Sequence, residues 1–119
     1  MTTAFFFHDD CMKHNMGPEH PESPERISTI LAYLADTGLE QKLDWVRPEE
    51  ATRDQLLTVH PEKYLQQLEM MAPTRGRVFT DPDTALMPDT LRAARLSAGA
   101  NIQAVDMVMS SQVTNAFVC

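Results

Sequence analysis

The sequence predicts an α/β fold, with about three parallel strands flanked by helices, and three features predict it. Compact apolar runs, "TAFFFHD", "LDWVRPE" and "TNAFVC", are spread from one end of the chain to the other. Each is short, as a strand buried on both faces should be. Between the runs lie segments whose apolar residues recur at helical spacing. Strand, helix, strand, helices, strand is the rhythm of a parallel sheet joined by crossover helices. At 119 residues, 43% of them apolar, the chain is long enough for one self-sufficient core and too short for two.

"TAFFFHD" opens the fold as a strand and runs into a polar loop, "DCMKHNMGPEHPE", broken by Gly17 and two prolines. Ser23 before Pro24 and Glu25 combines a serine cap, a first-turn proline and a first-turn acid, which starts a helix. Ile27, Ile30, Leu31 and Leu34 give that helix one apolar face, and Gly38 ends it. "LDWVRPE" is the second strand, closed by Pro48. Thr52 and Gln55 have capping-box spacing, so "TRDQLLTV" is a short helix. Pro61 opens another, "PEKYLQQLEMMA", with Tyr64, Leu65 and Leu68 expected inward. "PTRGRVFTDPDTALMP" reads as an irregular stretch, after which Asp89 caps a long helix. Its inward stripe is expected to be Leu91, Ala94, Ala98, Ile102, Val105 and Met109. The small residues Ala93, Ala94, Ala98, Gly99 and Ala100 allow it to pack closely on a sheet. "TNAFVC" is the third strand.

Composition removes several function classes. The net charge is −7 and the basic residues are scattered, so no phosphate-backbone footprint exists and nucleic acid is not expected as a partner. No apolar run approaches the ~18 residues a membrane span needs. "MTTAFFFHDD" lacks the basic flank of a secretory leader. Cys11 and Cys119 are far apart, a usage that fits a reducing cytoplasm better than a disulfide framework. The eight methionines are expected to fill gaps in the core.

The chemistry-bearing residues concentrate after the first strand. His8, Asp9, Asp10, Cys11, His14 and His20 form a ligand-rich loop at a strand's C-terminal end, where open α/β sheets place their sites. Zinc takes three or four such groups, but the closely spaced ligand pairs of structural zinc sites are missing, so a polar loop tied by side-chain bonds is the competing reading. Arg26 lies in a first helical turn, against the helix dipole, which points to a carboxylate, carbonyl or anion partner or else to a solvated side chain. His60 before Pro61 reads as a capping or packing residue. Asp81 and Asp83 in "DPDT" read as a turn with Asx bonds. Neither cysteine has an activating base nearby in sequence.

Three segments, "HDDCMKHNMGPEHPESPERI", "LLTVHPEKYLQQLE" and "DPDTALMPDTLRAARLSAGANIQAVDMV", followed by "NAFVC", resemble the N-terminal third of the histone deacetylase superfamily. The resemblance is strongest to its bacterial and class II members, the histone deacetylase-like and acetylpolyamine amidohydrolases. It implies a partial arginase/deacetylase fold over residues 1–119 as one domain. It places His20 and Pro21 in the first pocket loop, Asp83 at the substrate-binding rim, and Arg26 along an internal channel. In the family an "RPPGHH"-type segment with the general-base histidines follows such a strand, and the zinc ligands and a tyrosine come later. None of those positions falls within these 119 residues. The resemblance therefore implies zinc for complete family enzymes but no metal ligand, cofactor or catalytic residue in this stretch.

The expectation is a truncated deacetylase-family protein, inactive alone, related to enzymes that remove acetyl groups from acetyl-lysine or acetylpolyamines. The alternatives are one half of a split zinc deacetylase completed by another chain, or a module whose 8–20 loop holds a metal or small anion. Arg26 is expected to bond loop carbonyls or a carboxylate near residues 8 to 20. A third strand with an unpaired edge, and a helix that has lost neighbours, predict a homodimer or a complementary C-terminal chain as partner.

Overall fold

In the computed structural model, which describes residues 2–119, the first strand β1 (Thr3–Phe6) passes through a 3-10 turn (Asp9–Lys13) to α1 (Pro24–Asp36). A second 3-10 turn (Leu39–Lys42) leads into β2 (Leu43–Val46), then α2 (Arg53–Leu57) and α3 (Glu62–Met71). A hairpin of β3 (Val78–Asp81) and β4 (Thr84–Leu86) precedes the long helix α4 (Thr90–Met109) and the last strand, β5 (Asn115–Val118). The sheet has the order β2-β1-β5, all parallel, with Phe5 level with both Trp45 and Phe117. This is the α/β architecture the sequence predicts, with its three apolar runs as the three strands.

Side chains alternate across a pleated strand, so the sheet has two unlike faces. One carries Ala4 and Phe6, packed with Ala100, Ala104 and Val113 and flanked by Val46, Ala116 and Val118. The other carries an aromatic row in which Phe5 stands between Trp45 and Phe117, with ring centroids 4.7 and 5.5 Å apart. Phe6 and Leu96 are the largest fully buried side chains. Removing the Phe6 ring would open a cavity costing about 3–5 kcal/mol.

Most local expectations hold. The capping box at Thr52 is complete, with the Thr52 hydroxyl accepting from Gln55 N and the Gln55 amide oxygen accepting from Thr52 N. Gly38 ends α1 with φ +69°. Ser23 occupies the cap of α1, but its side chain makes no capping bond and Pro24 starts the helix. The predicted loop at residues 9–13 is wound into a 3-10 turn, capped by His8, whose Nδ1 accepts from Asp10 N at 3.0 Å.

Three expectations need correction. The "irregular" stretch after residue 72 contains the β3–β4 hairpin, antiparallel and irregular in register between Phe79 and Asp81. Its turn is the expected Asx bond, Asp83 N to Asp81 Oδ1 at 2.8 Å. Tyr64 is exposed and its ring lies tilted against that of His60, with centroids 5.2 Å apart, while Leu65 alone of its predicted trio is buried. The third correction is the larger one. The buried face of α4 is Ala93, Leu96, Gly99, Ala100 and Ala104, not the predicted stripe.

The reason is close approach. Small residues let the chain at 49–51 lie directly on α4, where Ala51 N donates to Arg95 O at 2.9 Å and Glu49 N to Gln103 Oε1 at 3.0 Å. A Cβ at Gly99 would stand 1.9 Å from the Glu49 carbonyl oxygen. Of the predicted stripe, Leu91 and Ile102 are half-buried, and Val105 and Met109 stay exposed. Helix α4 is apolar on two faces, and only one is covered within the described residues.

Candidate functional site

The polar loop beyond β1 is held by ion pairs both local and long-range. Asp10 receives Lys13 Nζ at 2.8 Å and Arg92 Nε at 2.7 Å. Arg92 also reaches Glu50 at 3.2 Å, and Glu50 accepts from Arg95 at 2.9 Å. The chain of charges ties the 3-10 turn, the start of α4 and the 48–52 segment together. The Lys13 ammonium first, then the Arg92 guanidinium, hold the Asp10 carboxyl down at about 2. Among the described residues, no group of three or more His, Cys, Asp or Glu side chains could hold a metal ion. The donor set here does not fit the family's zinc.

His14 Nδ1 meets the Thr90 hydroxyl at 2.8 Å, and that hydroxyl accepts from Met87 N at 2.8 Å. Further along the loop, Gly17 takes φ +106°, with the Arg77 guanidinium lying 3.4 Å from where a Cβ would stand. Arg77 Nε donates to Asn15 O at 2.8 Å, fixing the hairpin to the loop. Glu19 follows at φ +65°, a left-handed conformation unusual for a side-chain-bearing residue.

This backbone path delivers His20 to the hairpin turn. His20 Nε2 lies 3.0 Å from Asp83 Oδ1, while its Nδ1 accepts from Glu22 N at 3.0 Å. With Nδ1 accepting, the ring proton sits on Nε2 and donates to the Asp83 carboxylate. The two residues that the resemblance assigns to pocket loop and rim are therefore in contact, although 63 positions separate them. Pro21, beside His20, is exposed.

Arg26 meets a carboxylate, as expected, but that carboxylate is Glu22, at 3.3 Å and four residues back, outside the 8–20 stretch. Its side chain is 49% exposed, so the contact is a surface ion pair. Arg26 lines a pocket of about 260 Å³ with Cys11, His14, Glu22, Thr90 and Cys119. Sequence reasoning found His14 only as one of six loop ligands. Its partner Thr90 gave no signal, since an ordinary threonine opening a helix carries no mark of a bond to a distant loop. The charge chain through Arg92 and Glu50 was equally unreadable.

With this geometry in hand, the comparisons with known proteins decide the family. The histone deacetylase domain model matches residues 20–119. The chain belongs to the histone deacetylase family. Over 98% of its length it is 32% identical to a probable deacetylase of Archaeoglobus fulgidus, of which the match covers 33%. It is 31% identical to the histone deacetylase-like amidohydrolase of Pseudomonas aeruginosa, over 97% of this chain and 34% of that protein. The crystal structure of the HDA15 HD domain superposes with a TM-score of 0.90 at 25% identity, covering 99% of this chain and 35% of the other. The chain thus spans about a third of the length of the curated relatives it matches. The deacetylase-family segment in hand is the one that holds the loop after β1, the hairpin and α4.

Proposed function

We propose that these residues form the N-terminal part of a zinc-dependent amidohydrolase domain that removes acetyl groups from acetyl-lysine or acetylpolyamines. The observation that carries the proposal is the His20–Asp83 contact, which joins the pocket loop to the rim turn at 3.0 Å. Asp83 is 89% exposed at its side chain, free to accept a substrate N–H with its other oxygen. In this reading His20, Pro21 and Asp83 shape the substrate rim, and Arg26 lines the inner pocket. The metal polarises the scissile carbonyl and activates water in such chemistry. Its ligands, and the base, are supplied by parts of the domain outside this stretch, either on the same polypeptide or on another chain. The 119 residues alone are proposed to be inactive. No helix of the described residues is long and apolar enough to cross a membrane, and a cytoplasmic location is part of the same proposal.

The test is Asp83→Ala in the natural enzyme or complex that contains this segment. The reading expects KM for acetyl-lysine or acetylpolyamine substrates to rise about tenfold or more, in line with loss of a charge-assisted bond worth ~1.5–3 kcal/mol, with kcat changed less. An unchanged KM would remove Asp83 from the rim.

A second reading, compatible with the first, concerns partners. Among the described residues the outer edge of β5 has no strand beside it, and beside it Val105, Met109 and Phe117 are 60%, 79% and 52% exposed. An open strand edge flanked by apolar side chains invites a covering surface. We propose that it is covered by the complementary part of the domain or, in the 119-residue chain alone, by a second copy. Sedimentation at micromolar concentration reads the outcome: a dimer supports self-covering, and a stable monomer argues against it.

A further inference from the structure

Two thiols take no part in the function proposed above. Cys11 and Cys119 are both free and half-buried. The backbone brings them to the same end of β1. Cys119 N donates to Phe6 O at 2.9 Å, and Cys11 N donates to His8 O at 2.9 Å. The two anchoring residues are two steps apart along extended chain, roughly 7 Å. Both residues line one pocket of about 260 Å³, together with His14, Glu22 and Arg26. A disulfide asks for Cα atoms about 4.4–6.8 Å apart with side chains converging. Anchors this close, opening onto one small pocket, are disposed to meet that demand.

We propose that Cys11 and Cys119 are an intramolecular dithiol–disulfide site, whose oxidation staples the 3-10 turn to the end of β5 across the Arg26 pocket. The oxidant is the disulfide of a small thiol, of the glutathione class. A Cys119 thiolate attacks one sulfur of the oxidant, breaking its S–S bond and expelling one small thiolate. The Cys11 thiolate then attacks the Cys119 sulfur of the mixed disulfide and expels the second. Two protein thiols lose two electrons, and the oxidant becomes two thiols, taking up the two protons released. The charges facing the pair set the order of attack. Asp10 opposes a negative charge on Cys11, whereas Arg26 favours one on Cys119. Burial comes first for both, and holds both thiols above their ordinary value. Thiolate is therefore scarce at neutral pH, and closure should quicken as pH rises.

The experiment treats the reduced 119-residue chain with glutathione disulfide, quenches it with an alkylating agent and follows it by mass spectrometry. The expected product has lost two hydrogens, joins the Cys11 and Cys119 peptides, and reverts with dithiothreitol. Its rate is expected to be independent of protein concentration, at least tenfold faster in native buffer than in denaturant, and faster at higher pH. Cys11→Ser and Cys119→Ser should each stop at one glutathione adduct. Stable adducts on both cysteines without closure would overturn the proposal, as would disulfides forming only between chains, or equal rates with and without denaturant.

Discussion

At the scale of single residues, the structure separates side chains that matter through space from those that matter through charge. Gly99 belongs to the first kind. With the Glu49 carbonyl oxygen 1.9 Å from any added Cβ, backbone rather than a flexible side chain must give way. Gly99→Ala should therefore destabilise by about 1–3 kcal/mol or more, measured by chemical denaturation, despite alanine's better helix propensity. Arg26 belongs to the second kind. Its partner Glu22 is half exposed like itself, so Arg26→Ala should move stability by only about 0–1 kcal/mol. From the sequence alone Arg26 pointed to a carboxylate, carbonyl or anion partner or else to a solvated side chain, because a first-turn arginine opposes the helix dipole. What sequence could not show was that Glu22, already outside the helix, comes back to meet it. The capping box at Thr52 was legible for the opposite reason, since all its partners lie within four residues.

Elements are joined here by charges as well as by apolar packing, and this makes their attachment sensitive to acid. The Asp10 carboxyl is held at about 2, against an ordinary 3.8, by Lys13 and Arg92. A folded-state value below the unfolded one means that the contribution is present above about pH 4. It is lost as pH falls from about 4 through 2. Asp10→Asn should lower the denaturation midpoint at pH 7 and flatten its fall across that acid window. An unchanged pH profile would show that the 3-10 turn is held to α4 by packing alone. The helix α4 also shows why its packing face was misread. Periodicity alone does not choose between two apolar stripes on one helix, so the stripe through Leu91, Ala94, Ala98, Ile102, Val105 and Met109 read as well as the one through Ala93, Leu96, Ala100 and Ala104. A helix that touches backbone and sheet on one side selects small residues there. The hairpin β3–β4 was missed because its strands are only four and three residues long, and β3 is exposed throughout. Such strands carry too little apolar alternation to stand out from a proline-rich loop.

For the whole molecule, the fold class and the family were both legible, the first from three apolar runs and the second from long matching segments. Contacts between distant segments were not: His20 with Asp83, His14 with Thr90 and Asp10 with Arg92 each cross more than 60 positions. Those contacts assemble the loop, the hairpin and α4 into one face of a deacetylase-family domain, while β5 and the second face of α4 stay open. We propose that this face works only with the rest of such a domain. The measurement is acetate release from acetyl-lysine and acetylpolyamine substrates, with and without a zinc chelator. The assembly to assay is the one isolated from the natural host through a tag on this segment, with the 119-residue chain measured beside it. Chelator-sensitive release is expected from the natural assembly and none from the chain alone. Zinc-dependent turnover by the 119 residues themselves, or a natural assembly without deacetylase activity, would contradict it.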